Sequence, residues 1–359
     1  MGKKKVKIAE RYYGIDIIKI LAIILVPSLH FFLNYGFYEQ QYVGLSMVIQ
    51  ESIRWISFTC IGLFILASGY LQCNREINKS IFKKVLKYVI PYFFYCVLTT
   101  IIIDGTTNTN IVRNILYFFL RCPAYFWYMS FFLGFYLLIP FFNLIVNNTS
   151  KTQIEFFIIT LILVISIPSF INSLPALFIQ EKILYLPNWW NGFFPIVYYC
   201  IGAYFRKYQP KLKKETLVFV ILLTAIGISL LDYLFCKGST PRCIGGDYGS
   251  IVTVILSVSI FALFFNLKIE HYVIRKVIRF ISNSTLHIYF GYIISDKYTR
   301  AILEKYFAPL LHTYQFKLYF IEFPLNFLIA LLIAIAYAIL HLMTQKLYKG
   351  IFCKHSNNK

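Results

Sequence analysis

The stretch from Gly14 to Phe32, GIDIIKILAIILVPSLHFF, is apolar enough to cross a bilayer yet carries Asp16, Lys19 and His30. Lys19 and His30 lie eleven residues apart, and at 100° per residue eleven steps end about 20° past three full turns. They therefore share one helix face, roughly 16 Å apart along the axis. An ammonium near one membrane surface and an imidazole past mid-depth could hold an anionic substrate at one level and move a proton at the other. Asp16, three residues before Lys19, can pair with it. A charge exposed to lipid costs at least about 2.5 kcal/mol even on the lenient insertion scale, so such groups point to function by default. Two plainer readings stay open: Lys19 snorkelling to the surface with Asp16 as partner, and His30 tying two helices together as a neutral hydrogen-bonding residue. Pro27 frees the carbonyl of Ile23 one turn before His30, a loosening that suits a cavity.

The elements that must position these groups follow from composition. The 359 residues are 59% hydrophobic, 19% aromatic and only 14% charged, with a mean hydropathy of +0.67. That is too few charges to cover a soluble surface, so the expected fold is an all-α, polytopic transmembrane helix bundle in the cell membrane. The formal charge of +20 falls in short runs between apolar segments. Such runs report topology and give no support to nucleic acid as a partner. No internal repeat or polar tract divides the chain, and residues 1–359 read as a single membrane domain. The apolar segment after MGKKKVK is long and lacks a small-residue cleavage site, so it reads as a retained first span. No Ser or Thr stands at position six to signal myristoylation.

About ten spans are expected, near residues 15–35, 53–72, 88–103, 125–146, 154–172, 190–205, 216–235, 250–267, 280–295 and 319–345. Placing both termini in the cytoplasm puts 25 of the 35 Lys and Arg on that side, as the positive-inside rule asks. Residues 110–121 could form an interfacial helix, and the NWW at 188–190 resembles an outer aromatic belt. The eight cysteines form no C-x-x-C pair, so no metal site is expected; Cys236 and Cys243 flank one short outer loop and could form a disulfide.

YYGIDIIKILAIILVPSLH resembles the first-span signature of the acyltransferase type 3 family of integral membrane acyltransferases, where a basic residue precedes a histidine by ten intervening positions. The family usually has Arg where this chain has Lys19. GLFILASGYLQCNREINKSIFKKVLKYVIPYFF is similar to its second motif, with Lys84, Lys87 and Pro91 at the positions of two basic residues and a proline. FWYMSFFLGFYLLIPFF is similar to its Trp-containing fourth helix, here with Trp127 and Pro140. NSTLHIYFGYIIS resembles a late Ser, Ile-Tyr segment, with Tyr292 where the family often has histidine.

The resemblance implies transfer of an acyl group, usually acetyl, from cytoplasmic acyl-CoA as co-substrate to a hydroxyl of a surface or lipid-linked glycan. No permanently bound cofactor is implied, and polysaccharide-assembly proteins are natural partners. Lys19, Lys84 and Lys87 would then attract CoA phosphates as point charges. His30 would act as the catalytic base, directly or through an acyl-histidine. Asp16 and Trp127 would support the site, Trp127 by stacking on sugar rings. His271, His287, His312, His341 and His355 have no such constellation. A transporter or flippase is the alternative, but neither an inverted repeat nor a clear midplane carboxylate is seen in the sequence. A structural membrane subunit is a third reading, and it would tolerate neutral replacements at Lys19 and His30. A cysteine introduced beside Lys237 is expected to react with an impermeant thiol reagent from outside the cell; labelling only after lysis would reverse the orientation.

Overall fold

The computed structural model describes residues 11–104, 110–121, 126–174, 186–311 and 316–356. The chain is 82% helical, with no strand among the described residues. The helices are α1 (Tyr13–Asn34), α2 (Leu45–Phe58), α3 (Cys60–Gln72), α4 (Ser80–Asp104), α5 (Ile111–Arg121), α6 (Trp127–Asn148) and α7 (Lys151–Leu161). They continue with α8 (Ile167–Ile171), α9 (Phe194–Tyr208), α10 (Lys214–Cys236), α11 (Ile251–Phe264), α12 (Tyr272–Leu311) and α13 (Tyr319–Ser356).

Local chemistry explains several of the boundaries. Ser150 and Gln153 form a capping box at the start of α7, which satisfies two N–H groups that have no partner inside the helix. Between α7 and α8 the chain makes a π turn, Ile162–Ser166, just before Pro168. A proline cannot donate to the preceding turn, and the wider turn accommodates the interruption. The α2–α3 junction is a milder break at Thr59, whose hydroxyl donates to the Ile56 carbonyl at 2.6 Å.

Among the described residues, seven segments are long and apolar enough to cross a membrane: Tyr13–Glu39, Leu45–Gln72, Ser80–Ile103, Trp127–Asn148, Lys151–Ile171, Lys214–Cys236 and Phe316–Gln345. The other three expected spans fall on α9 with 15 residues, on α11 with 14, and within the more polar α12. The expected interfacial piece is α5. Its Val112, Leu116 and Leu120 are exposed, while Phe119 stacks on Tyr92 of α4 at 5.2 Å. In the expected outer belt, Trp189 and Trp190 are exposed; residues 175–185 and His312 lie outside the described residues.

Most of α1 and of α2–α3 is buried, whereas the last span buries only 11% of its most apolar window. Large apolar side chains such as Phe82, Phe156, Phe219 and Leu234 point outward, as lipid contact requires. The inner helices approach closely through glycines. A Cβ on Gly69 of α3 would sit 2.2 Å from the Tyr199 carbonyl oxygen of α9, and one on Gly202 of α9 would sit 2.2 Å from that of Leu66. Small residues at helix contacts are the usual membrane solution, because van der Waals packing must hold helices together where lipid is equally apolar.

Gly69→Ala and Gly202→Ala should each lower stability by about 2 kcal/mol through overpacking. Gly134→Ala, whose Cβ would meet nothing within 4 Å, should be neutral or slightly stabilising. Thermal unfolding of the three variants in detergent checks this, and equal behaviour would refute the close α3–α9 contact.

Candidate functional site

The two ionisable groups of α1 that share a face both meet α12. Lys19 Nζ donates to the carbonyl of Ser282 at 2.9 Å and to its hydroxyl oxygen at 3.1 Å. The imidazole of His30 lies against the ring of Tyr292, with centroids 4.9 Å apart and 31° between planes. Eleven residues on α1 are thus matched by ten on α12, so the two helices run parallel with their faces in register. Both side chains are half-buried, which excludes full lipid exposure for either. Tyr292 is itself buried. Tyr292, at the position where the resemblance implies a second histidine, therefore stands beside His30.

Asp16 corrects one expectation. Its ion-pair partner is Arg11, whose Nε donates to Oδ2 at 2.6 Å, while the Ser282 hydroxyl donates to Oδ1 at 2.6 Å. No direct hydrogen bond joins Lys19 to Asp16; Ser282 bridges them, accepting from one and donating to the other. Two of the three N–H bonds of Lys19 are used in this way, and the ammonium is fixed in direction.

Tyr12, at the start of α1, meets Tyr70 of α3 edge-on at 5.5 Å, so α3 ends where α1 begins. The short connection to α4 brings Lys84 and Lys87 to this same end, which we call the Lys19 end. Both are exposed, and the structure gives them no contact with Lys19. Further basic groups gather here: Arg206 lies over Tyr12 at 4.2 Å, Arg75 over Tyr136 at 4.1 Å and Arg275 over Tyr13 at 5.3 Å. Sequence reasoning had given these arginines no role.

Trp127 begins α6 away from the Lys19 end. Its ring leans on Tyr248 at 5.6 Å, and Tyr248 stacks on Phe58 at 4.4 Å. Trp127 is not brought to His30. Its neighbour Tyr128 meets Tyr289 edge-on at 5.8 Å, one turn before Tyr292 on α12.

Toward the end at which α1 finishes, two buried polar clusters appear that sequence reasoning missed. In the first, Glu51, Asp232 and Cys243 bring one ligand atom each to within 4.8 Å of one another, a set that could hold a metal ion. The carboxylates are also hydrogen-bonded: Glu51 accepts from the Tyr42 hydroxyl and from Trp55 Nε1, and Asp232 accepts from the Cys243 N–H at 2.9 Å and the Cys236 thiol at 3.3 Å. Cys236 and Cys243 are free thiols. Cys243, in the loop after α10, has a positive φ of 51°. Burial pushes its thiol up, with Arg54 opposing and Glu51 and Asp232 reinforcing the shift. Arg54 is 3% exposed; its Nε donates to Tyr38 at 2.6 Å, and its guanidinium lies over Trp55 and Phe58 at 5.1 Å each.

The second cluster joins α12 to α13. Asn326 donates to Glu322 Oε1 at 3.1 Å and to Asp296 Oδ1 at 3.4 Å, and Arg300 Nε pairs with Asp296 at 3.1 Å. Ser295, one turn beyond Tyr292, bonds Asn326. Glu51, Asp232 and Glu322 are fully buried within membrane-length helices, nearer one end of each.

A family model described as an acyltransferase domain matches residues 12–343. The chain belongs to the acyltransferase type 3 family. No curated protein and no solved structure matched it. Family membership makes the chain an integral membrane acyltransferase, and the match runs through all the helices that carry Lys19, His30, Lys84, Lys87 and Trp127.

Arg54→Met should destabilise the chain by about 3 kcal/mol, because it removes a buried cation that interacts with the buried Glu51 and bonds Tyr38. Glu51→Gln added to it should recover part of that loss. Chemical unfolding in detergent measures both, and additive losses would show that Arg54 and Glu51 do not interact.

Proposed function

We propose that the chain moves an acyl group, acetyl above all, from cytoplasmic acyl-CoA to a hydroxyl of a cell-surface or lipid-linked polysaccharide. The observation that carries this reading is the alignment of Lys19 and His30 along α12, with the ammonium at the basic end of the bundle. CoA presents several phosphate charges, and a cluster of cations at one end raises its local concentration. Lys84 and Lys87 serve as an exposed outer attraction, and Lys19, held by Ser282, serves as an inner one. The pantetheine arm then carries the thioester along α1 toward His30.

At His30 a neutral imidazole takes the proton of the sugar hydroxyl. The hydroxyl oxygen attacks the thioester carbonyl, the C–S bond breaks, and the departing thiolate takes the proton from the imidazolium. Atoms and charge balance without a metal or a redox partner. Tyr292 packs against the ring of His30, and that contact limits the ring's rotation. Trp127 offers a flat face to sugar on the side away from the donor.

The buried carboxylates Glu51, Asp232 and Glu322 favour a second reading, a solute transporter, since intramembrane acids often couple ions to transport. Turnover of acetyl-CoA separates the two. His30→Ala should reduce acyl transfer by at least about 100-fold, whereas His341→Ala should leave it unchanged; equal activity of the two variants would sink the assignment. In the same preparation, Lys84→Gln or Lys87→Gln should weaken CoA binding about two- to fivefold. That difference should shrink as salt is raised, and unchanged binding at low salt would remove both lysines from the donor site.

A further inference from the structure

A cleft of about 520 Å³ opens where the α1–α2 connection meets the start of α13. Its walls include Gln40, Gln41, Gln50, Phe316, Lys317 and Phe320. The walls are braced. Gln50 is 4% exposed and donates to Ser46 Oγ at 3.0 Å, and Gln40 donates to the Gly36 carbonyl at 3.1 Å. Phe316 stacks on Tyr319 at 5.3 Å and meets Phe320 edge-on at 5.3 Å.

The chemistry of this lining fits sugar. A glutamine amide offers donor and acceptor side by side, which is what neighbouring hydroxyls of a pyranose require. Flat aromatic faces take the C–H face of the ring. The volume falls within the range of small-ligand sites and holds more than one ring. Among the described residues of the lining, Lys317 alone is charged, so an acidic substituent on the sugar is welcome there.

The position matters as much as the lining. The cleft lies at the end of the bundle where α1 finishes, opposite the Lys19 end. His30 is four residues before the last residue of α1, about 6 Å along the axis, whereas Lys19 is fifteen, about 22 Å. Tyr319, behind Phe316, bonds the hydroxyl of Ser28 on α1 at 2.8 Å, so the cleft wall is tied to the helix that carries His30. Resting on the acyl-transfer reading above, we propose that this cleft is an acceptor subsite that binds sugar residues flanking the one to be acylated.

The test uses the full chain in detergent and, as probe, oligosaccharides released from the surface of cells that carry it, treated with mild base to strip ester-linked acyl groups. Equilibrium dialysis of wild type is expected to retain these sugars. The double variant Gln41→Ala/Phe316→Ala should bind them at least tenfold more weakly. Gln41→Ala alone, at an exposed rim position that folding does not need, should bind them about threefold more weakly. Trp189→Ala, an exposed aromatic outside the cleft, should bind as wild type does. Retention that is absent in wild type, unchanged in both cleft variants, or lost instead in Trp189→Ala overturns the subsite. Acetyl-CoA turnover by wild type is measured in parallel. Its absence would refute acyl transfer while the dialysis still reports on the cleft.

Discussion

A charged or hydrogen-bonding side chain inside a bilayer must find its partner within the protein, and this constraint orders the bundle around α1. Asp16, Lys19 and His30 cannot face lipid, so α1 is drawn to the centre and α12 is drawn onto it. Ser282 does the joining at one end: its carbonyl and hydroxyl accept from Lys19, and the same hydroxyl donates to Asp16. Tyr292 does it at the other through ring contact. A helix pair fixed at two levels resists sliding and rotation, and that rigidity holds Lys19 and His30 in one relative geometry.

Around that pair the remaining helices solve a different problem, close packing without help from water. The α3–α9 contact uses Gly69 and Gly202 to let backbones touch, while helices on the outside keep bulky apolar side chains for lipid. The two buried acidic clusters belong to the same logic. Glu51 and Asp232 are surrounded by donors from Tyr42, Trp55 and the Cys243 backbone, and Glu322 and Asp296 are joined through Asn326. The first cluster ties together α2 and α10, distant in the chain, and the second ties α12 to its neighbour α13; such buried polar contacts specify packing at some cost in stability.

The register of Lys19 and His30 was legible in the sequence because it depends only on 100° per residue within one helix. Every expected span likewise falls on a helix, since long apolar runs have few other fates in a membrane. The partner of Asp16 was not legible: Arg11 precedes the helix, and Ser282 is remote in the chain, so local spacing favoured Lys19. Glu51 and Arg54 were missed for a related reason. A glutamate and an arginine at the edge of an apolar run mark a membrane boundary by composition, and only the fold shows that α2 starts earlier and buries both. The cluster with Asp232 and Cys243 requires α2, α10 and the following loop to meet, which no periodicity encodes.

The two ends of the bundle differ in chemistry, and that difference bears on direction. One end carries Lys19, Lys84, Lys87, Arg75 and Arg206, with aromatic rings beneath several of the cations. The other carries amides, buried acids and partly exposed aromatics. On the proposed acyl-transfer reading, a polyanionic donor is drawn to the first end, while a polyhydroxylated acceptor gains hydrogen bonds from amides and packing from rings at the second. A site between them, nearer the second end, serves both substrates only if each arrives from its own side. On that reading, two-sided access asks for a reacting group where His30 stands, one turn from the end of α1 and not at the basic end, because a flexible pantetheine arm can reach inward whereas a bulky glycan cannot.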